Sequence, residues 1–263
     1  MTRFRLSAGL VALAAVVCSC AKPEVAVVEV KGECADLFKA QVCTWAHTQG
    51  TTLVDVGATV PIASIENAGA PASMAWPPVA DAVVRFPGSA TTESGLTEMT
   101  AYWEADGHPP TPYMTPHWDF HFYTVPTADR IAIDCKDDAK PATLAAGYVL
   151  PDQDLPPDMA KMMGVSKLVG ICVPGMGMHS LLGSELASTT PFRGSMVLGY
   201  YHTKPVFIEP MLTKAMLLEK KSFDLPIAEI PGLAGPYPRT FRATYDSTAQ
   251  SYRFTFSGFA AGK

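Results

Sequence analysis

Positive charge is scarce in this chain. Of its 263 residues, 20 are Lys or Arg against 25 Asp or Glu, a net charge of -5, and charged residues of both signs total only 17%. A nucleic-acid-binding protein shows a basic footprint, so that class is excluded. The usual catalytic signatures are also missing. No Gly-x-Ser-x-Gly elbow, P-loop, Rossmann glycine pattern or His-Glu-x-x-His run occurs, which removes the ordinary warrant for hydrolase, nucleotide and zincin chemistry. There is no internal repeat and no heptad run, and past the N-terminus no apolar stretch reaches the roughly 18 residues of a membrane span. What is present is apolar. Hydrophobic residues at 48% rule out overall disorder. The 23 prolines and 20 glycines fall below the low-complexity range and point to a turn-rich β protein. The length suits one large domain or two small ones and is enough to bury a sizeable core.

The N-terminus reads as an address. Arg3 and Arg5 precede an apolar stretch over residues 6–17, too short to span a bilayer but suited to a signal peptide. The exit, Val17-Cys18-Ser19-Cys20, resembles a bacterial lipobox. That resemblance implies removal of residues 1–19 and lipidation of Cys20. A tether is expected over 20–32 and a single β-rich domain over 33–263. Cleavage after the small-x-small sequence Ser19-Cys20-Ala21 is the alternative. The lipobox implies anchoring in the cell envelope, facing the periplasm, with the outer membrane favoured over the inner in a Gram-negative cell. The membrane would then be one partner, through the lipid. Small-molecule, protein and self-association partners stay open.

Setting Cys18 and Cys20 aside leaves Cys34, Cys43, Cys135 and Cys172. An even number in an exported chain predicts two disulfides. Of three possible pairings, loop-closure entropy favours the local one, Cys34 with Cys43 and Cys135 with Cys172. No Cys-x-x-Cys occurs, and the spacings fit no zinc ribbon.

Period-two alternation predicts strands over 51–60, 79–86, 96–103, 117–125, 195–201 and 205–209. A C-terminal hairpin is expected from 239–245 and 251–258, turning at Asp246-Ser247-Thr248. Short helices are expected over 156–163 and 213–221, and a soft boundary in the Ala/Pro-rich stretch 68–78. The expected class is mainly β, with antiparallel sheets forming a sandwich or barrel-like domain and one or two short helices.

One constellation carries chemistry. His108, His117 and His121 fall within fourteen residues, His179 follows Gly177-Met178, and Glu209 precedes Pro210-Met211. Imidazole and carboxylate are ligand types for a divalent metal such as zinc, iron or manganese. On a strand, His117, Asp119, His121 and Tyr123 share one face, and four residues span about 13 Å. His117 and His121 therefore do not share one ion unless the strand bulges. The candidate metal set is His117, His121, His179 and Glu209, with one of the first two joining the others. Asp119 would orient an imidazole, and His108 and Tyr123 would support it. The competing structural reading satisfies buried imidazoles with Asp119 or backbone groups. Trp118, Phe120 and Phe122, on the other face, read as core. Methionines 159, 162, 163, 176 and 178 lack the clustering that would favour Cu(I), so copper ranks behind the other metals. His47 reads as a surface residue without a partner, and His202 as a strand-end residue facing the pocket. Three functions compete. The first is a metal-binding domain. The second is a metal-dependent enzyme, with cupin-like oxygenase or hydrolase chemistry by analogy of ligand type. The third is a structural or interaction lipoprotein.

The segments resemble a bacterial family of unassigned function, the TTHB210-like (DUF5602) proteins. The matching residues are Trp103, Gly107, His108 and Pro110, then Pro116, His117, Asp119, Phe120, His121, Phe122 and Tyr123. Met176-Gly177-Met178-His179, Gly199-Tyr200 and Phe207-Ile208-Glu209-Pro210-Met211 follow. The resemblance covers about residues 96–220, and the block around His117 is its specific part. Trp118 stands where the family has Phe, and Ser180 where it has Trp. The resemblance implies a mainly β domain in bacterial, often exported, proteins, and supplies no reaction.

Overall fold

The computed structural model describes residues 25–69, 76–231, 233 and 235–261. The expected signal peptide, Cys20 and residues 70–75 of the 68–78 boundary lie outside the described residues. In chain order the strands are β1 (Val27–Leu37), β2 (Ala40–Gln49), β3 (Thr52–Pro61), β4 (Ala82–Arg85), β5 (Glu98–Glu104), β6 (His117–Tyr123), β7 (Tyr148–Val149), β8 (Gln153–Asp154) and β9 (Lys167–Leu168). They continue with β10 (Met178–Leu182), β11 (Gly194–Tyr201), β12 (Lys204–Thr213), β13 (Phe223–Pro226), β14 (Pro236–Tyr237), β15 (Thr240–Asp246), β16 (Ser251–Ser257) and β17 (Ala260–Ala261). The helices are α1 (Ile62–Asn67), α2 (Gly88–Ser94), α3 (Thr127–Ile131), α4 (Pro157–Met163), α5 (Gly183–Leu186) and α6 (Lys214–Leu218).

Two antiparallel sheets dominate. One runs β1-β2-β3-β16-β15-β13 and the other β4-β5-β6-β12-β11-β10-β7. They pack as a sandwich, not a closed barrel. The C-terminal hairpin forms as expected: β15 pairs with β16 so that Phe241, Ala243 and Tyr245 face Phe256, Phe254 and Tyr252. Its turn is held by Asp246, whose carboxylate accepts from the Thr248 and Ala249 amides at 2.8 and 3.0 Å. Across the sandwich, Phe120 meets Phe254 at 5.1 Å between ring centroids and Phe122 meets Phe256 at 4.6 Å. Trp118 is edge-on to Phe38. These rings, all but Phe38 fully buried, make the central core.

Two expectations need correction. Among the described residues six short helices form, against the one or two expected. Each has one or two turns, too short to show a 3.6-residue apolar period. Their punctuation reads as turn chemistry: α2 and α4 follow Pro87 and Pro156 and end at Gly95 and Gly164, both in the left-handed region at φ 73°. The sheet also begins earlier than the expected tether allows, since β1 takes in residues 27–32. As an edge strand β1 is exposed along most of its length, with Val27 and Val28 both more than half exposed, so it carries no alternating signal.

The cysteines pair Cys34–Cys43 and Cys135–Cys172, the locally favoured connectivity. The first joins register partners of β1 and β2. Two disulfides fit an oxidising, extracytoplasmic location. Among the described residues no helix is long and apolar enough to cross a membrane.

Candidate metal centre

All seven residues of β6 are buried. Alternation sends Trp118, Phe120 and Phe122 into the sandwich and His117, Asp119, His121 and Tyr123 to the opposite face. That second face is also closed off. Tyr113 and His117 both pack edge-on to Phe192, at 5.0 and 5.2 Å. The Arg130 guanidinium sits 5.2 Å over the Tyr123 ring. Arg130 also pairs with Glu98 on β5 and donates to the Gly175 carbonyl. It thereby pins the long connection between β6 and β10 against the sheet.

The first cluster forms across three strands. β12 pairs with β6 so that Ile208 lies opposite Phe122 and Met211 opposite Asp119. The same register puts Glu209 opposite His121. β10 brings His179 opposite Gly199 of β11. Gly199 leaves room for the Phe207 ring, since a Cβ there would stand 2.1 Å from two of its atoms. Phe207 then lies against His121 at 4.6 Å and His179 at 5.0 Å. The Nε2 atoms of His121 and His179 are 3.3 Å apart. They stand 3.6 and 4.0 Å from Glu209 Oε2. His179 Nδ1 donates to the Ile171 carbonyl at 2.9 Å, which fixes its tautomer and leaves Nε2 as a lone pair in the neutral ring. Glu209 Oε2 and His121 Nδ1 are buried without a hydrogen-bond partner. A hydrogen bond between the two Nε2 atoms would satisfy neither of these.

The second cluster lies at the other end of β6. His108 comes from the β5–β6 connection, where Gly107 at φ 69° packs so closely that a Cβ there would stand 2.3 Å from the Tyr113 carbonyl oxygen. His108 Nε2 is 3.2 Å from His117 Nε2 and 3.3 Å from Asp119 Oδ2, and His117 Nε2 is 3.1 Å from Asp119 Oδ1. Each of these two groups of three could hold a metal ion.

The four expected ligands are thus divided. His121, His179 and Glu209 meet. His117 does not join them, because the strand runs without a bulge between it and His121. It groups instead with His108 and Asp119, which the sequence placed in support. Tyr123 stacks near His121 at 5.8 Å, and its hydroxyl has no hydrogen-bond partner.

The two clusters differ in charge. Burial pushes the His179 pKa down to about 4. Burial, then the nearby His179, hold His121 well below the usual histidine range. Both rings are neutral at pH 7, the form that binds metal. Burial, then the Asp119 and Glu104 charges, raise the Glu209 carboxyl well above its ordinary value. In the second cluster burial opposes charge on His108, but the Asp119 hydrogen bond and charge outweigh it and lift its pKa to about 9. Burial likewise opposes charge on Asp119, and His117 and His108 override it, so its carboxyl falls well below the usual range.

The remaining histidines lie elsewhere. His47 is not partnerless: its Nδ1 meets Asp55 at 2.8 Å and its Nε2 Glu29 at 3.4 Å. His202 is exposed, pairs with Asp137 and does not reach either cluster.

Comparison with protein-family models, with curated proteins and with solved structures returned no match. The site must therefore be read from its own chemistry. Sequence reasoning missed the backbone carbonyls of Ile171, Thr115 and Pro109, which orient three of the four clustered imidazoles. No side-chain pattern signals a carbonyl. It also missed Glu98 and Arg130, which are 32 residues apart in sequence.

Proposed function

We propose that this is an exported, lipid-anchored protein that binds one divalent transition-metal ion, zinc first, between His121, His179 and Glu209. The observation that carries the reading is the convergence of three donors around an unpaired buried carboxylate oxygen. Bonds of about 2.05 Å at tetrahedral angles put donor atoms about 3.3 Å apart. The spacings here are 3.3, 3.6 and 4.0 Å, the two longer ones being outside hydrogen-bond range. An ion would satisfy Glu209 Oε2, and two imidazoles with one carboxylate suit zinc, iron or manganese. Three protein ligands leave a fourth position for water, the feature that favours an enzyme as the second reading. The exported setting is supported by the two disulfides and by the lipobox-like Cys20. The likeness to TTHB210-like proteins rests on the motifs that supply all three ligands.

The test uses the full chain, purified in detergent without a metal-chelating tag, stripped with chelator and reloaded with zinc. Bound zinc, reduced in His179→Ala with unchanged circular dichroism, is the expected result. Labelled fatty acid should enter the wild type but not Cys20→Ser. Zinc binding unaffected by His179→Ala, or no uptake of zinc, iron, manganese or copper, would overturn the metal reading. The imidazoles would then form a hydrogen-bond network.

A further inference from the structure

We infer that His108, His117 and Asp119 form a second divalent-cation site, separate from the first and open to water on its His108 side. The argument begins with the ring tautomers. His108 Nδ1 lies 2.9 Å from the Pro109 carbonyl and His117 Nδ1 lies 2.7 Å from the Thr115 carbonyl. A carbonyl only accepts, so both Nδ1 atoms carry the proton. In the neutral rings both Nε2 atoms are then lone pairs. They face each other at 3.2 Å, with the two Asp119 oxygens at 3.1 and 3.3 Å. With both rings neutral, three electron-rich groups would converge here; without an ion, a proton on His108 paired with Asp119 prevents this. Asp119 Oδ1 has no hydrogen-bond partner despite its closeness to His117, so the approach lacks hydrogen-bond alignment.

A proton on one ring relieves part of this repulsion. A divalent ion satisfies all three groups at once. The two Nε2 atoms are 3.2 Å apart, close to the roughly 3.3 Å edge of a tetrahedral zinc site, and each has its own Asp119 oxygen within 3.3 Å, Oδ1 for His117 and Oδ2 for His108. The carbonyls of Pro109 and Thr115 do for these rings what hydrogen-bonded partners do for metal-bound histidines generally, fixing the tautomer and ring direction. His108 is 37% exposed and Asp119 8%, so the fourth position faces the His108 side and takes water.

The two sites share no residue. His117 and Asp119 precede His121 by four and two positions on one regular strand, and two residues advance about 6.6 Å. That exceeds the about 3.5–4 Å between metals in a bridged pair. Two independent ions are expected, not a dinuclear centre. The second site goes beyond the proposed function and stands or falls separately from it.

The experiment is zinc titration with elemental analysis on the chelator-stripped full chain. Wild type, His108→Ala, His179→Ala and the double variant are compared, with circular dichroism as the fold control. His108 lies on a half-buried connection outside the sandwich, so its removal spares the core. The inference expects two ions in wild type, one in each single variant and none in the double. Cobalt should give a tetrahedral absorption band in His179→Ala that His108→Ala,His179→Ala lacks. One ion in wild type, lost in His179→Ala but kept in His108→Ala, would overturn the second site and leave the first standing. One ion lost in His108→Ala and kept in His179→Ala would do the reverse. Two ions retained in His108→Ala would also overturn the second site.

Discussion

Glu209 is 1% exposed, and one of its carboxylate oxygens has no partner. Burying an unpaired polar group costs about 1–3 kcal/mol, and a charge costs more. A residue of this kind is destabilising unless a bound cation repays it. Glu209→Gln keeps the shape and removes a carboxyl whose pKa burial raises, so folding no longer has to suppress at neutral pH the ionisation that the unfolded chain enjoys. The metal-free variant is therefore expected to be more stable than wild type by roughly 1–3 kcal/mol. Zinc at a hundredfold excess over its dissociation constant stabilises wild type by about 2.7 kcal/mol through linkage. At about 2–4 °C per kcal/mol for a domain of this size, the wild-type melting temperature should rise about 5–10 °C with zinc. The variant should lose the part of that rise due to the His121 site. Thermal melts of both proteins, with and without zinc, check the two signs together. A metal-free Glu209→Gln that melts well below wild type would mean the carboxylate has a structural partner.

At the scale of elements, the first cluster depends on how β11 and β12 pack. Gly199 is opposite Phe207, and a Cβ at Gly199 would stand 2.1 Å from ring atoms. The ring cannot yield freely, because His121, His179 and Tyr123 surround it at 4.6, 5.0 and 5.7 Å. Gly199→Ala is expected to destabilise by about 1–3 kcal/mol, the usual cost of overpacking, and to weaken zinc binding by displacing both imidazoles. Urea unfolding and zinc titration measure the two effects. A variant that loses neither would show that Phe207 repacks without moving the histidines. Elements of this kind were the legible ones. β6 and the β15–β16 hairpin alternate cleanly, so their strands and faces follow from the sequence, whereas β12, expected only over 205–209, runs on to Thr213 buried on both faces. Trp118, Phe120 and Phe122 are core for the reason their spacing gives. The failures also have physical causes. β1 is an exposed edge, β7 to β9 have two residues each, and helices α1 to α4 begin at prolines that also make turns. Strand spacing kept His117 and His121 apart, and they fall in separate groups. It could not bring His108 back over His117, because that depends on a connection folding around Gly107.

On the scale of the whole molecule, the sheet supplies all three residues of the first cluster and two of the second, while the connections covering its outer face supply His108 and the Ile171 carbonyl that orients His179. The β6–β10 connection carries little regular structure, so few internal backbone bonds hold its shape. Fixed points do so instead. Arg130 binds buried Glu98, Asp152 accepts from Lys140 and the Gly170 amide, and Cys135–Cys172 ties the two ends together. The last of these stands next to the site, because Ile171, whose carbonyl orients His179, precedes Cys172. In the chain-entropy account a disulfide closing a 37-residue separation contributes about 4 kcal/mol, and one closing nine residues about 3. Stability alone barely separates the two bridges, but position does. Paired Cys→Ser substitution at Cys135 and Cys172 should weaken zinc at the His179 site by about 10–100-fold, the usual effect of losing a group that orients a ligand. The same substitution at Cys34 and Cys43 removes a bridge that joins only β1 to β2 and should leave zinc affinity unchanged. Zinc titrations of the two double variants, run at a temperature where both stay folded, separate loss of orientation from loss of stability. Equal weakening in both would mean that the bridges act through global stability, and that the Ile171 carbonyl does not depend on its neighbouring disulfide.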